Sequence, residues 1–150
     1  MMTPLEKYSY WVALSDYDMD TAEALIKAER WTYVTVICQQ AVERLAKGMY
    51  VYHIDKEAPK SHNISFLMNK LCQCESFAND PIGKIFCSEK EQHEEFLIDL
   101  MFYYMSDYPF SYKKIKDRFI SKETATEIYT KTQELIIWLK GYQPATVDVL

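Results

Sequence analysis

The polar residues best suited to bind a ligand lie in two neighbouring segments of the chain. They are Gln39, Gln40, Glu43, Lys47 and His62. If the imidazole lies in a cleft beside the two glutamines and Glu43, these donors and acceptors would bind a nucleotide-like ligand. The alternative is structural: His62 would cap the following helix and bond to the preceding one, while Glu43 and Lys47, four residues apart, would form a surface pair.

A second group of titratable residues lies at the start of a later predicted helix. Glu89, His93 and Glu94 could face one way and hold a metal ion. Di-metal helical bundles use Glu-x-x-His on paired helices, whereas Gln92 stands three residues after Glu89. We therefore expect a solvated acidic first turn, with no metal and no cofactor. The sequence also lacks a Ser/His/Asp order, a P-loop and a dinucleotide fingerprint.

The charge balance argues against general nucleic-acid binding. The net charge is −5 and the isoelectric point is about 5.2. Binding to nucleic acid depends largely on Lys and Arg that neutralise phosphates. The one basic cluster is Lys113, Lys114, Lys116 and Arg118, which we interpret as a solvated loop or helix end. The sequence therefore carries no strong nucleic-acid signal.

The cysteines and the hydropathy of the sequence indicate the cellular compartment in which the protein is expected. Cys72 and Cys74 are separated by one residue, not by the two of a zinc or redox pair. Cys38 lies in an apolar helical run and is expected in the core. We find no signal peptide and no apolar run approaching the roughly 18 residues that cross a bilayer. We expect a cytoplasmic protein with reduced thiols and no membrane association.

Tyrosine is unusually frequent, with twelve among 150 residues. A tyrosine ring buries a large area while its hydroxyl stays hydrated, which suits both helix seams and interfaces. Seam packing is one interpretation, and a docking surface is the other. Under the second interpretation the predicted dimer or partner interface contains Tyr103, Tyr104, Tyr108 and Pro109.

Hydrophobic periodicity predicts the helices that position these residues. We predict helices at about 4–28, 31–53, from Ser61 or Asn63 onward, 88–105 and 122–141. The first helix is expected to begin with a capping box of Thr3 and Glu6, and the last with Ser121 as its cap. Residues 76–87 are expected to be irregular, with a turn at Asn79-Asp80-Pro81, and Ser88 to open the fourth helix with a capping box. The predicted fold is a single all-α domain, an up-down four- or five-helix bundle with its core at 4–141 and a tail at 142–150.

The apolar stripes predict which residues face the core. In the first helix, Asp18 and the other acidic residues are expected mostly off the apolar stripe. Gly48 costs roughly 1 kcal/mol in a helix and would be tolerated if a neighbouring helix comes close. The inward face of the last helix is predicted as Ala125, Ile128, Thr132, Leu135, Ile136 and Leu139.

Four local patterns, in this order, resemble those of the HEPN domain family. The first is the aromatic and acidic spacing within 10–25, and the second is 38–47, similar to the family's Gln-Ala-x-Glu-(Lys/Arg)-x-x-Lys. The third is 61–67, similar to Thr/Ser-His-Asp/Asn-Leu-x-x-Leu. The fourth is 103–109, where members often carry Arg-Tyr-Pro. The resemblance spans about residues 8–140.

This resemblance implies a helical bundle that usually dimerises. Many members accompany a small nucleotidyltransferase, and some are RNases of toxin–antitoxin systems that use an Arg-x(4–6)-His motif. This chain departs from that motif, since His53 follows Arg44 by nine positions and Asp107 stands where Arg is common. Metal-independent RNA cleavage needs a cation and a proton carrier. We therefore do not expect RNase activity.

Three hypotheses about function follow. The leading one is a non-catalytic HEPN-type domain that forms a homodimer and binds a small nucleotidyltransferase or a nucleotide-like ligand. The alternative is an RNase toxin of a toxin–antitoxin system, with a degenerate active site built from His62, Lys114 and Arg118. The third is a purely structural helical subunit.

Overall fold

The computed structural model describes residues 1–104 and 120–144, and all regular structure in these ranges is helical. This confirms the predicted all-α class. The helices are α1 Pro4–Lys27, α2 Trp31–Ile54, α3 Ile64–Gln73, α4 Glu75–Ala78, α5 Pro81–Glu89, α6 Glu94–Tyr104 and α7 Lys122–Lys140, with a 3-10 turn at Lys90–His93. None of these helices is long and apolar enough to cross a membrane.

The second helix, α2, is the centre of the bundle. It packs against α1, α3, α6 and α7, and twelve of its 24 residues are buried. A helix surrounded in this way needs apolar or hydrogen-bonded side chains on several faces. The polar side chains that α2 carries must therefore find partners on its neighbours.

The first two helices lie unusually close together at Gly48. A Cβ built on Gly48 would lie 2.9 Å from the Cβ of Trp11 and 3.4 Å from Cδ2 of Tyr8. Glycine therefore permits the close approach of α1 to α2 at this point, as expected from the sequence. The approach places the polar residues of α1 within reach of those on α2.

Several predicted helix ends are confirmed by their hydrogen bonds. Thr3 and Glu6 form the expected capping box at the start of α1. At the start of α3 the cap is Asn63, whose Oδ1 accepts the N–H of Phe66 at 3.0 Å. Ser121 caps α7, and all six residues predicted for its inward face are buried.

The segment before α6 differs from the prediction. Residues 76–87 are mostly helical, because Asp80 caps α5 and Pro81 occupies its first position. Ser88 is therefore inside α5, where its Oγ donates to the carbonyl of Ile85 at 2.8 Å. The predicted capping box at Ser88 is wrong, because Ser88 does not start a helix. Its hydroxyl bonds to a backbone carbonyl of the preceding turn, as serine hydroxyls inside helices often do.

The thiol prediction also needs a correction. Cys72 and Cys87 form a disulfide that joins α3 to α5, fifteen residues apart in sequence. Cys38 and Cys74 are free, and Cys38 lies in the core as predicted. Burial raises the pKa of the Cys38 thiol to about 12, which keeps it protonated. Spacing could not reveal the disulfide, because its two cysteines meet only once α3 and α5 are placed.

Candidate functional site

Glu43 is the centre of a polar network on α2. Its carboxylate accepts a hydrogen bond from Nζ of Lys47 at 2.9 Å, one helical turn away. The other carboxylate oxygen lies 2.8 Å from Nδ1 of His62. The Glu43 side chain is 8% exposed and that of Lys47 is 13% exposed, so the predicted surface pair is in fact mostly buried. Two positive or polar partners compensate the burial of this carboxylate.

Gln39 adds a backbone contact to the same network. Its Nε2 donates to the main-chain carbonyl of His62 at 2.7 Å. The Oε1 atom of Gln39 is buried and has no partner among the described residues. Because both the backbone and the ring of His62 are held by α2, the network fixes the segment that leads into α3.

His62 also lies beside the sixth helix. Its ring centroid is 5.0 Å from that of Tyr104, and the two planes are inclined by 41°. The His62 side chain is 60% exposed, in contrast to the acid and lysine beneath it. It is therefore the part of the network that a ligand or a partner would meet.

A second polar cluster joins α1 to α2. One oxygen of Asp18 accepts hydrogen bonds from Gln40 at 3.0 Å and from Arg44 at 3.1 Å. Burial raises the pKa of the Asp18 carboxyl, and the bonds from Gln40 and Arg44 oppose that rise. Asp18 is thus buried, contrary to the prediction that it lies off the core face. The two α2 side chains supply the donors that make its burial tolerable.

The structure therefore divides the residues predicted to bind a ligand. Gln39, Glu43, Lys47 and His62 come together. Gln40 does not join them, because its amide turns toward α1. Of the residues predicted for an interface, Tyr103 and Tyr104 lie at the end of α6 and are partly buried. Tyr108 and Pro109 lie outside the described residues, as do Lys114 and Arg118 of the alternative nuclease site.

An apolar groove runs beside this network, and we name it the α6 groove. Its volume is about 330 Å³, and its walls are Asn63, Ser65, Glu94, Leu97, Ile98, Met101 and Phe102. Only Leu97 and Leu100 of α6 are buried, while Ile98 is 46% exposed. Sequence reasoning missed Ile98. The available signal was that Phe96–Met101 is apolar except for Asp99, which leaves apolar side chains on more than one face of the helix.

Most of the chain matches a protein-family model. A model of the HEPN domain matches residues 8–142, which includes most of α1 and all of α2, the His62 segment and α7. The chain belongs to the HEPN domain family. No curated protein and no solved structure matches the chain significantly.

The possible metal residues of this HEPN domain have other partners. Oε2 of Glu89 accepts hydrogen bonds from Nε1 of Trp138 and from the hydroxyl of Tyr142, both at 2.8 Å. These bonds lower the pKa of the Glu89 carboxyl. The ring of His93 lies against Trp138, with centroids 4.1 Å apart. The described residues contain no group of three His, Cys, Asp or Glu side chains able to hold a metal ion.

Arg44 and His53, both on α2, contact different neighbouring helices in this HEPN domain. Arg44 pairs with Asp18 on α1, whereas the ring of His53 lies 4.6 Å from that of Phe77 on α4. Burial lowers the pKa of His53, so its imidazole is neutral at physiological pH. Within one copy of the chain, these two side chains do not converge on a common pocket.

Proposed function

We propose that this HEPN domain is a non-catalytic binding module that self-associates through the α6 groove. The observation that carries the proposal is the exposure of Ile98 on a helix whose opposite side is already in the core. An apolar patch with a polar rim is typical of an interaction surface. The polar residues that line the groove are Asn63, Ser65 and Glu94.

A second copy of the chain is the occupant that the family favours, because HEPN domains usually dimerise. His62 directly precedes Asn63, and Tyr104 follows Phe102 by two residues on α6; both Asn63 and Phe102 line the α6 groove. The rings of His62 and Tyr104 also contact each other, so both would border the same interface. A small nucleotidyltransferase is the partner that the family resemblance supports for the assembled dimer. A nucleotide-like ligand would contact His62, whose ring is the exposed part of the Glu43 network.

The non-catalytic assignment is supported by the engagement of the polar groups. Arg44 is neutralised by Asp18, and Lys47 is neutralised by Glu43. A phosphate transition state needs a cation that is free to meet developing negative charge. Neither of these two cations is free, and His62 is bound to a carboxylate through Nδ1.

Self-association is tested by replacing an isoleucine inside the α6 groove and, as a control, an exposed isoleucine outside it. Ile98→Glu places a charge in the α6 groove and should convert a dimer into a monomer, because a buried unpaired charge is costly. Ile137→Glu is the matched control, since Ile137 on α7 is 72% exposed and outside the groove. Size-exclusion chromatography with light scattering gives the mass of each. A dimer that survives Ile98→Glu, or a wild-type protein that is monomeric, contradicts the proposal.

The absence of nuclease activity is tested by incubating the pure protein with total RNA. We expect no cleavage above a no-protein control, and no difference between the wild type and His62→Ala. The substitution removes the ring beside Glu43 while the Gln39 bond, which goes to the backbone, remains possible. Cleavage by the wild type that is lost in His62→Ala would establish the alternative, an RNase with a degenerate site.

A further inference from the structure

A second pocket lies at the C-terminal end of α2, beyond the Glu43 network in the middle of that helix. It has a volume of about 380 Å³ and lies between the end of α2, the α4–α5 segment and the chain after α7. We name it the aromatic pocket. Four aromatic residues and one acidic residue are among its walls, which are Tyr52, His53, Ser76, Phe77, Asp80, Ile82, Tyr142, Gln143 and Pro144. A volume near the lower end of the usual range for ligand sites, 300–1,000 Å³, suits a small molecule.

The rings of this pocket are held in place from behind. Phe77 is 3% exposed and contacts both His53, at 4.6 Å, and Phe86, at 5.5 Å between centroids. The Tyr142 hydroxyl donates to Glu89, and its ring lies against Trp138. Aromatic walls fixed in this way are preorganised, so a ligand would not need to order them on binding.

The charge of the pocket selects the class of ligand. Asp80 is the one carboxylate among the described lining residues, and no Lys or Arg is among them. One oxygen of Asp80 accepts the N–H of Ile82 at 2.9 Å, and no described Lys or Arg pairs with this carboxylate. Burial lowers the pKa of His53 although the charge of Asp80 opposes this shift, and the neutral imidazole is thereby favoured. An anion such as a phosphate would be repelled by Asp80 and would meet no Lys or Arg among the described lining residues.

We propose that the aromatic pocket binds a small organic cation, an amine or a quaternary ammonium compound. The faces of aromatic rings carry negative electrostatic potential and attract cations. The Asp80 carboxylate supplies a full negative charge at the edge of the same cavity. This combination of rings and one carboxylate is independent of the α6 groove, so the proposal goes beyond self-association and does not rest on it.

The first test is the binding of choline to the full chain, which is measured by saturation-transfer NMR and titration calorimetry. We expect saturable binding with a dissociation constant on the order of millimolar, since so small a ligand makes few contacts. The neutral alcohol in which a quaternary carbon replaces the ammonium nitrogen has the same shape and should not bind. Adenosine is included as an uncharged aromatic ligand. Equal binding of the neutral alcohol, binding of adenosine alone, or no saturable binding overturns the proposal.

The second test separates the pocket charge from the charge of the whole protein. Asp80→Asn keeps an oxygen that can cap α5 but removes the charge, and should weaken choline binding about fivefold or more. Asp55→Asn is the control, because it removes the same charge outside the pocket at a left-handed residue (φ 54°) where Asn is well tolerated. Choline binding that is unaffected by Asp80→Asn, or equally weakened by Asp55→Asn, contradicts the assignment.

The third test concerns the rings. Tyr142→Leu removes an aromatic wall and should weaken choline binding, whereas Tyr142→Phe keeps the ring and loses only the hydroxyl bond to Glu89. The thermal unfolding of both variants is measured to establish that each is folded. If the leucine and phenylalanine variants bind choline equally well, the rings do not hold the cation and the proposal fails.

Discussion

At the scale of single residues, Glu43 is the side chain on which most polar contacts converge. It holds Lys47 through one oxygen and His62 through the other, while it is almost excluded from water. Removal of one member of a buried ion pair costs more than the pair contributes, because the remaining charge stays buried. The Glu43 network therefore links the stability of α2 to the position of the exposed His62 ring.

The Glu43→Gln substitution should destabilise the protein strongly. The free energy of unfolding should fall by about 2 kcal/mol or more, because Lys47 loses its counter-charge in a mostly buried position. Glu23→Gln is the matched control, since Glu23 and Lys27 form the same four-residue pair on a surface where both are more than half exposed. Its effect should stay below about 0.5 kcal/mol. Urea unfolding measures both, and equal losses would show that burial is not the cause.

The residues of this network were partly predictable from sequence. The spacing of Glu43 and Lys47 predicts their pairing, and the pairing is confirmed. The division between Gln39 and Gln40 is not predictable, because successive helical residues point about 100° apart and only tertiary structure decides which neighbour each one meets. The burial of Asp18 was not predicted for the same reason, because it depends on the hydrogen-bond donors that α2 supplies.

At the scale of helices, the contact between α1 and α2 depends on Gly48. Replacement by Ala favours the helix intrinsically by roughly 1 kcal/mol, yet it would bring a methyl group against the Cβ of Trp11. A Cβ atom so close to the backbone cannot swing away as the end of a long side chain can. The helices would therefore have to separate, and the bonds from Gln40 and Arg44 to Asp18 would be strained with them.

We predict that Gly48→Ala lowers the free energy of unfolding by about 1–3 kcal/mol, the usual cost of overpacking. Gly141→Ala is the comparison, because Gly141 has an ordinary right-handed conformation at the exposed end of α7, where a Cβ would meet only carbonyl oxygens of its own helix, the nearer being that of Trp138 at 3.1 Å. Its effect should lie within about 0.5 kcal/mol. Thermal and urea unfolding of the two variants provide the measurement. A Gly48→Ala protein that is more stable than the wild type would show that α1 and α2 have room to spare.

The helix boundaries show where sequence patterns are ambiguous. Thr3 was identified as a cap because Glu6 completes a capping box with it, and Ser121 because it precedes an apolar stripe; the structure confirms both caps. Ser88 precedes a similar stripe, but Asp80 and Pro81 had already started a helix before it. A serine followed three residues later by a glutamate fits a helix start and a helix interior equally well. The residues upstream decide between them, which is why the α5 region was assigned wrongly.

At the scale of the whole molecule, the bundle and its family were predictable, while the surface was not. Long periodic stripes indicated the all-α fold, and the order of local motifs indicated the HEPN family, which the family match confirms. The α6 groove and the aromatic pocket arise where several helices meet. Their shapes depend on distances between helices, and no single stripe of the sequence encodes these distances.

The measurement that bears most directly on the proposed function is sedimentation equilibrium of the unmodified protein over a wide range of concentrations. An apolar groove that is covered by a second copy predicts a reversible equilibrium between the chain mass of 17.8 kDa and twice that mass. The dimer should become dominant as concentration rises, since association follows mass action. A single species of 17.8 kDa at every concentration would contradict self-association through the α6 groove.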